Sequence, residues 1–283
     1  MQNIKIVVYN YIMNHGIVQL FGIIYGEVKN ENEEQGLLFG GGENADKLLL
    51  QWSELDITII TGRHSSEGLE FSLLPDYISR FFELSANAFD AIVHAWMSEL
   101  PIAEKIIGYG RKITAAADFF AAKGSAGELA QRRAVEKAAG NWADTDVQIV
   151  QSASYKVWHE INRLMGLLRF CPDEDGVYIA HCQPDHFILP ALGPHFRERF
   201  GDTPWAIIDE KRNLLLLCLQ GERPVLKGGN AGINYQMPET AAAGEWEQLW
   251  KLYHKTINNE SRNNPGLQKK LMPARYWKNL PEK

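Results

Sequence analysis

The 283-residue sequence lacks the features that mark several common classes of protein. Its three cysteines cannot form a disulfide framework, which is typical of a protein from a reducing compartment. No apolar run approaches the roughly 18 residues that a membrane-spanning helix needs. The N-terminus also lacks the basic, then apolar, then small-residue order of a secretory signal. We therefore expect no membrane association and a cytoplasmic location.

Patterns typical of metal binding, nucleotide binding and nucleophilic catalysis are missing as well. Cys171, His181, Cys182, His186 and His195 are suitable ligand types, but they form no Cys-x-x-Cys or His-x-x-x-His pair. No serine lies in a Gly-x-Ser-x-Gly turn, and the glycine-rich segments lack a phosphate-loop lysine. We predict no metal site and no cofactor, and the sequence leaves open whether the protein is an enzyme.

Acidic residues outnumber basic residues, and the net charge of −6 argues against a protein whose whole surface is positively charged. The distribution is uneven. Residues 1–146 have 12 Lys and Arg against 20 Asp and Glu, a net of −8, and residues 147–283 have 17 against 15, a net of +2. Any polyanion site is therefore expected in the C-terminal half.

Hydrophobic periodicity predicts a helix-rich N-terminal half, residues 1–146. A β-branched strand at residues 4–9 and an apolar helix at residues 17–25 come first. Residues 75–140 then have apolar side chains three and four apart, with strong helix formers between them. This half therefore contains a series of amphipathic helices.

The C-terminal half, residues 147–283, alternates helices with short strands. A long helix begins near residue 147, and a hairpin is predicted to turn at residues 209–213. We expect the helical pattern around residues 188–200 to be broken by its prolines, Pro190 and Pro194. The order predicts an α+β fold with an antiparallel sheet flanked by helices. The two halves form either separate domains or one continuous domain.

Two helical segments place a histidine four residues before an arginine. His159 and Arg163 share a polar stripe on the long helix, and His195 and Arg199 repeat the spacing. Such pairs suit phosphate recognition, although a solvated polar face would show the same pattern. We predict that the two pairs converge on one pocket.

Four segments carry a resemblance to a known family. They are HEINRLMGLLRF (159–170), YIAHCQPDHFILPALGPHFRERF (178–200), WAIIDEKR (205–212) and NPGLQKKLMPARYWKNLPEK (264–283). In this order they resemble a bacterial family assigned to DNA metabolism, a domain of unknown function also found fused ahead of uracil-DNA-glycosylase-like domains. Members are typically encoded beside a radical-SAM DNA modification or repair protein. The resemblance therefore implies DNA as a partner and a radical-SAM protein as a second partner.

The family motifs supply the candidate site residues. His186, Asp209 and Tyr276 are among the motif positions, and the candidates for binding nucleic acid or phosphate are Arg163, Arg169, Arg199, Arg212, Arg275 and Trp277. The leading interpretation is a nucleic-acid-binding protein of DNA repair or modification. One alternative is an enzyme that acts on a nucleotide or damaged base, with His159 or His195 as the proton carrier. The other is a protein-binding adaptor without nucleic-acid contact.

The aromatic, basic tail at residues 271–283 has two interpretations. Tyr276 and Trp277 are adjacent, so they would point apart in an extended chain, and one of them can dock into the core. The neighbouring basic residues can then face outward. We favour a structural clasp, with Arg275 on a phosphate-facing surface.

Overall fold

The described parts of the chain form two compact units. The computed structural model describes residues 9–12, 15–26, 59–62, 76–122, 128–173, 175–220, 222, 224–228 and 241–280. One unit lies within residues 1–159 and the other within residues 160–283. The cut between them falls inside a single helix, Thr145–Leu167. The division predicted at residues 146 and 147 stays a prediction.

The first unit is a set of helices with one pair of short strands. The strands β1 and β2 pair in antiparallel fashion. The elements are β1 (Tyr9–Ile12), α1 (His15–Tyr25), β2 (Ile59–Gly62), α2 (Asp76–Leu84), α3 (Ala86–Met97), α4 (Ala103–Ala122), α5 (Glu128–Ala139) and α6 (Thr145–Leu167). The predicted helices at residues 17–25 and 75–140 are thereby confirmed. Most of the strand predicted at residues 4–9 lies outside the described residues, and the sequence did not predict β2.

Aromatic rings form the centre of the first unit. The Phe21 ring on α1 stacks on Phe89 of α3 at 4.8 Å between centroids and meets Phe81 of α2 edge-on at 5.1 Å. All three side chains are fully buried. A Cβ at Gly110 would lie 2.5 Å from a methyl carbon of Ile24, so a larger residue there would have to displace the Ile24 side chain where α4 meets α1. Apolar packing thus determines the arrangement of these helices.

The second unit contains a five-stranded sheet in the order β3-β4-β5-β6-β7. Its strands are β3 (Cys171–Pro172), β4 (Tyr178–Cys182), β5 (Trp205–Asp209), β6 (Leu214–Cys218) and β7 (Val225–Gly228). The prediction of an α+β fold with helices beside the sheet is confirmed. Within the described sheet, β4 and β5 pair in parallel and the other neighbours pair in antiparallel fashion. The parallel pair follows from the helix α7 (Leu189–Phe200), which connects the two strands.

The helix α7 corrects one prediction, because its two prolines do not break it. Pro190 lies in the first helical turn, where the missing N–H has no intrahelical acceptor. Pro194 lies inside the helix, which continues to Phe200. Phe196 is fully buried and packs near Phe170, Phe200 and Trp205, at 4.9 to 6.4 Å between centroids. Tertiary packing of this ring therefore outweighs the local cost of the proline.

The predicted hairpin between β5 and β6 is confirmed. Its turn ends at Asn213, which has a positive φ of 52°, a conformation that asparagine tolerates better than most residues. The chain then continues to α8 (Ala241–Ile257), α9 (Pro265–Leu271) and a final 3₁₀ helix at Ala274–Asn279. Among the described helices, none is long and apolar enough to cross a membrane.

Candidate functional site

A buried carboxylate lies at the centre of the second unit. Glu160 occupies a position on α6 between the apolar residues Val157, Ile161 and Leu164, which are all buried. Only 1% of Glu160 is exposed to solvent. Burying a charged group is costly unless it is paired and hydrogen-bonded, so the partners of this side chain are informative.

Each carboxylate oxygen of Glu160 accepts two hydrogen bonds. Oε1 accepts from the backbone N–H of Asp185 at 2.9 Å and from the hydroxyl of Tyr276 at 2.6 Å. Oε2 accepts from the backbone N–H of His186 at 2.9 Å and pairs with Nδ1 of its ring at 2.6 Å. The carboxylate therefore joins α6, the loop between β4 and α7, and the C-terminal 3₁₀ helix.

These hydrogen bonds determine the ionisation states of the network. Burial raises the pKa of Glu160, but hydrogen bonds from His186, Tyr276 and two backbone N–H groups outweigh burial and lower the pKa to about 2. Burial and the adjacent Glu160 raise the pKa of Tyr276 to about 12. At neutral pH Glu160 is consequently an anion, and Tyr276 is a neutral hydroxyl that donates to it.

The charge on Glu160 determines which nitrogen of His186 carries the proton. An ionised carboxylate can only accept, so Nδ1 of His186 must donate. In the neutral ring Nε2 is then the atom with the free lone pair. Among the residues that the structure describes, Nε2 has no hydrogen-bond partner, and 16% of the side chain is exposed. The arrangement resembles the oriented imidazoles of general bases.

The C-terminal tail docks into this network, which confirms the clasp prediction. Tyr276 is 5% exposed and Leu280 is 4% exposed. Arg275 forms an ion pair with Asp185, and its second Nη donates to the Tyr276 hydroxyl at 2.8 Å. The same Nη lies 3.5 Å from Glu160. The tail thus satisfies the guanidinium within the fold while 44% of the Arg275 side chain stays exposed.

A second buried ion pair, between Arg212 and Asp209, holds the loop between β4 and α7 in place. Arg212 donates to the carboxylate of Asp209 at 2.9 Å, and Asp209 is fully buried. The guanidinium also donates to the carbonyl oxygens of Pro184 at 3.2 Å and Asp185 at 2.9 Å. Burial raises the pKa of Asp209, and the charge and hydrogen bonds of Arg212 oppose that rise. Arg212 therefore connects the hairpin turn to the loop that presents His186.

Two more of the residues predicted to bind phosphate or nucleic acid, Arg169 and Trp277, make contacts within the fold. The guanidinium of Arg169 donates to the carbonyl of Gly166 at 2.9 Å and lies over the Trp250 ring at 4.9 Å. The indole N–H of Trp277 donates to the carbonyl of Met272 at 2.9 Å. Both side chains thus have structural roles, and their binding roles stay predictions.

The two predicted histidine–arginine pairs stay a hypothesis. The His159 ring lies 4.2 Å from the Tyr155 ring on α6, and Arg163 is half-buried on the same helix. Burial lowers the pKa of His195, and the charge of Arg199 lowers it further, so these two side chains are neighbours on α7. Convergence of the two pairs on one pocket stays a prediction.

Sequence reasoning missed the central residue of the network. Glu160 was not assigned a role, although a charged residue in the apolar seam of α6 is a signal of a paired, buried charge. Asp185 gave no signal of its own. His186 and Tyr276 were named only as motif positions. Their meeting could not be predicted, because 116 residues separate Glu160 from Tyr276.

Other potential sites lie apart from these residues or lack the needed geometry. A cleft of about 380 Å³ in the first unit is lined by residues of α1, α2, α4 and α5, including Tyr25, Arg80 and Asp118. It contains none of the candidate residues. Within the described part of the chain, no group of three or more His, Cys, Asp and Glu side chains is placed to hold a metal ion.

The fold and the site define an α+β protein whose C-terminal unit is built around a buried, hydrogen-bonded carboxylate. The chain belongs to the family DUF4130, a domain of unknown function, which matches residues 129–282. The match covers the whole network around Glu160 and both predicted histidine–arginine pairs. No curated protein and no solved structure matches the chain.

Proposed function

We propose that this protein is a cytoplasmic DNA-metabolism protein that binds nucleic acid through residues 241–280. We call the exposed basic and aromatic side chains of that segment the basic surface. In this proposal the protein serves a radical-SAM partner in DNA repair or modification. The DNA role and the partner come from the family resemblance, and the basic surface gives the proposal a physical basis.

Charge distribution is the observation that carries the proposal. Residues 241–280 contain seven Lys and Arg and three Asp and Glu, so their net charge is +4 in a chain whose net charge is −6. Six of the seven cations are described as exposed, namely Lys251, Lys255, Arg262, Lys269, Lys270 and Arg275. A local excess of exposed cations in an acidic protein supports contact with a polyanion.

Aromatic side chains accompany these cations. Tyr253 on α8 is 54% exposed, and Trp250 and Trp277 are partly exposed. Bases stack on such rings without sequence preference, so the combination favours single-stranded nucleic acid over duplex. Arg212 and Arg275 already have carboxylate partners inside the fold. We therefore assign most phosphate contacts to the lysines, and Arg163, Arg169 and Arg199 remain proposed contacts.

The test is fluorescence anisotropy with labelled single-stranded and double-stranded oligonucleotides at low salt. We expect weak binding whose affinity falls steeply with salt, by about one unit of log–log slope for each phosphate neutralised. The double substitution Lys269→Glu and Lys270→Glu on α9 should weaken binding about tenfold and reduce the slope by about two units.

The matched control is Arg133→Glu with Lys137→Glu, two exposed cations on α5 in the first unit. This variant has the same change in net charge, so it should reduce affinity much less than the α9 variant if the basic surface is the site. Equal losses in the two variants would indicate a nonspecific effect of total charge. Absence of binding by the unmodified protein at about 50 µM and low salt would contradict the proposal.

An exposed apolar stripe on α8 supports a protein partner. Leu249, Leu252 and Ile257 are each between 56% and 62% exposed, and their spacing places them on one face of the helix. Exposed apolar side chains grouped in this way are typical of a protein interface. We propose that the radical-SAM partner docks on this stripe.

Co-purification with the radical-SAM protein that the family resemblance implies as a partner tests the interface. We expect Leu252→Glu to abolish the complex, because the new charge would lie in an apolar contact. Leu129→Glu on α5 is the control, since Leu129 is also 62% exposed. If both variants still form the complex, the stripe is not the docking surface. Complex formation without any nucleic-acid binding would favour the adaptor alternative.

A further inference from the structure

The imidazole of His186 is held as a proton acceptor would be, and neither the family match nor the sequence candidates assign it that role. Nδ1 is fixed by Glu160, the backbone N–H of the same residue is bound to the same carboxylate, and Nε2 has no partner in the described part of the chain. Two contacts to one carboxylate fix both the ring orientation and its tautomer.

The surroundings of this ring come from four elements. Glu160 faces it from α6, and Asp185 precedes it in the loop. Arg275 and Tyr276 reach Glu160 from the C-terminal tail. The hairpin turn between β5 and β6 contributes further charged groups, which are Asp209, Glu210, Lys211 and Arg212.

Two cations near the ring retain solvent contact. Lys211 is exposed and donates to the carbonyl of Asp185 at 2.8 Å, and 44% of the Arg275 side chain is exposed. Both therefore lie at the loop that presents His186. Arg275 is paired with Asp185, whereas the described bond of Lys211 is to a carbonyl, so the charge of Lys211 favours an anionic ligand at this loop, such as a phosphoester.

We propose that His186 is the general base of a hydrolytic site whose substrates are phosphodiesters of nucleotides or single-stranded nucleic acid. A water oxygen forms a bond to phosphorus, its proton passes to Nε2, and the bond from phosphorus to the leaving oxygen breaks. The leaving oxygen departs on the opposite side of phosphorus and takes a proton from solvent, and the imidazolium releases its proton to water. Glu160 acts as the positioning residue, because its negative charge stabilises the imidazolium. The choice of nucleic acid as substrate rests on the proposed function.

The assay uses bis-para-nitrophenyl phosphate with the full-length chain, and EDTA is present to remove contaminating metal ions. We expect slow release of nitrophenolate, and His186→Gln should lower kcat about 100-fold, the usual contribution of a general base. Glu160→Gln should lower kcat less and move the acidic limb of the pH–rate profile to lower pH, because the imidazolium loses its counter-charge. His181→Gln is the matched control on β4 and should retain activity.

Two further measurements test the proposal even if one of these variants is too unstable to assay. Nitrogen-15 NMR of the unmodified protein should show His186 protonated at Nδ1 when neutral, and the opposite tautomer would overturn the inference. Tyr276→Phe removes one hydrogen bond to Glu160 but leaves the charge of Glu160 and the ring of His186 in place. If Glu160 had a purely structural role, Tyr276→Phe and Glu160→Gln would shift the acidic limb of the pH–rate profile equally. Full activity in His186→Gln, or loss in His195→Gln alone, would also overturn the inference.

The two proposals can fail separately. Absence of hydrolysis together with salt-dependent oligonucleotide binding would overturn the hydrolytic site and leave the proposed function intact. Hydrolysis of the small phosphodiester without oligonucleotide binding would overturn the proposed function and leave the hydrolytic site intact. This probe carries a single phosphate, so its hydrolysis needs no extended basic surface.

Discussion

The two units place their charges differently. In the first unit a described cluster of ion pairs lies at the surface, where Lys112 contacts Asp144 and Asp146 at 2.6 and 2.7 Å while 41% of its side chain is exposed. In the second unit Glu160, Asp209 and Arg212 are 1%, 0% and 8% exposed. Apolar packing thus holds the first unit together, and charged groups inside the second unit also hold its loops and tail.

This difference is consistent with the site that we propose in the second unit. Removing charges from water is costly, and well-packed apolar residues often stabilise a fold as well as a buried ion pair does. Glu160 and Arg212 bond the loop that presents His186, and Asp209 pairs with Arg212, which is consistent with a requirement for a defined geometry there. In the described part of the first unit, helices pack through aromatic rings.

Removal of the Glu160 carboxylate should have the largest effect, because it destabilises the second unit and leaves the first unit unchanged. Glu160→Ala leaves the donors of His186, Tyr276 and two backbone N–H groups unpaired, and it creates a cavity. We expect a loss of about 3–5 kcal/mol in the free energy of unfolding, measured by urea denaturation. Hydrogen exchange should show the loss in the second unit. A loss below about 1 kcal/mol would mean that the network contributes little.

Acid should weaken the two units in different pH ranges. The pKa of Glu160 is about 2 in the folded protein and 4.5 for the free side chain, so its contribution is complete above pH 4.5 and is lost as the pH falls towards 2. This amounts to about 3 kcal/mol. In the first unit, burial lowers the pKa of His94 to about 4, so its contribution is lost between pH 6.5 and pH 4.

Hydrogen exchange resolved by peptide, at about pH 7, 5 and 3, separates these two transitions. The first unit should lose protection before the second as the pH falls. Glu160→Gln should remove the acid dependence of the second unit below pH 4.5, and His94→Gln is the corresponding control for the first unit. Loss of protection in both units over one shared pH range would contradict the assignment.

A smaller effect is expected at the hairpin turn. Asp209→Asn keeps the acceptor for the backbone N–H groups of Lys211 and Arg212 but removes the charge that pairs with the Arg212 guanidinium. Because the substitution also relieves the burial of a carboxylate, we expect a loss of only about 1–3 kcal/mol by urea denaturation. A more stable variant would show that burial of Asp209 outweighs its pairing.

The smallest effect is expected at the surface pair of the first unit. Lys112→Met removes the contacts to Asp144 and Asp146, but these groups are solvated and salt screens them. The melting temperature should stay within the error of the measurement at physiological salt. A large decrease would show that the N-terminus of α6 depends on this lysine, and the contrast between the two units would then be weaker than we describe.

Local patterns were sufficient to predict most elements of the described fold. Apolar periodicity predicted α1 to α6, and the turn composition at Asp209–Asn213 predicted the hairpin. The same reasoning was wrong for Pro194, because the buried Phe196 keeps α7 intact. It also missed the parallel pairing of β4 and β5, which depends on the path of α7 rather than on either strand's own sequence.

The candidate site was predicted less well than the fold. The sequence directed attention to His159 and His195, whose helical spacing to an arginine is visible in one dimension. The described structure instead surrounds Glu160 with His186 and Tyr276, which are 26 and 116 residues away along the chain. Periodicity reports which face of an element is buried, but it does not report which distant side chain meets that face.

The sequence by itself determined most helices of the first unit, the hairpin of β5 and β6, the α+β class and the concentration of positive charge in the C-terminal part, because each depends on residue type and local spacing. The tertiary structure decided that Glu160 is buried rather than solvated, that Tyr276 is a clasp, and that Arg212 and Arg275 have carboxylate partners. These outcomes depend on hydrogen bonds between groups far apart in the chain, and only chain folding brings such groups within about 3 Å.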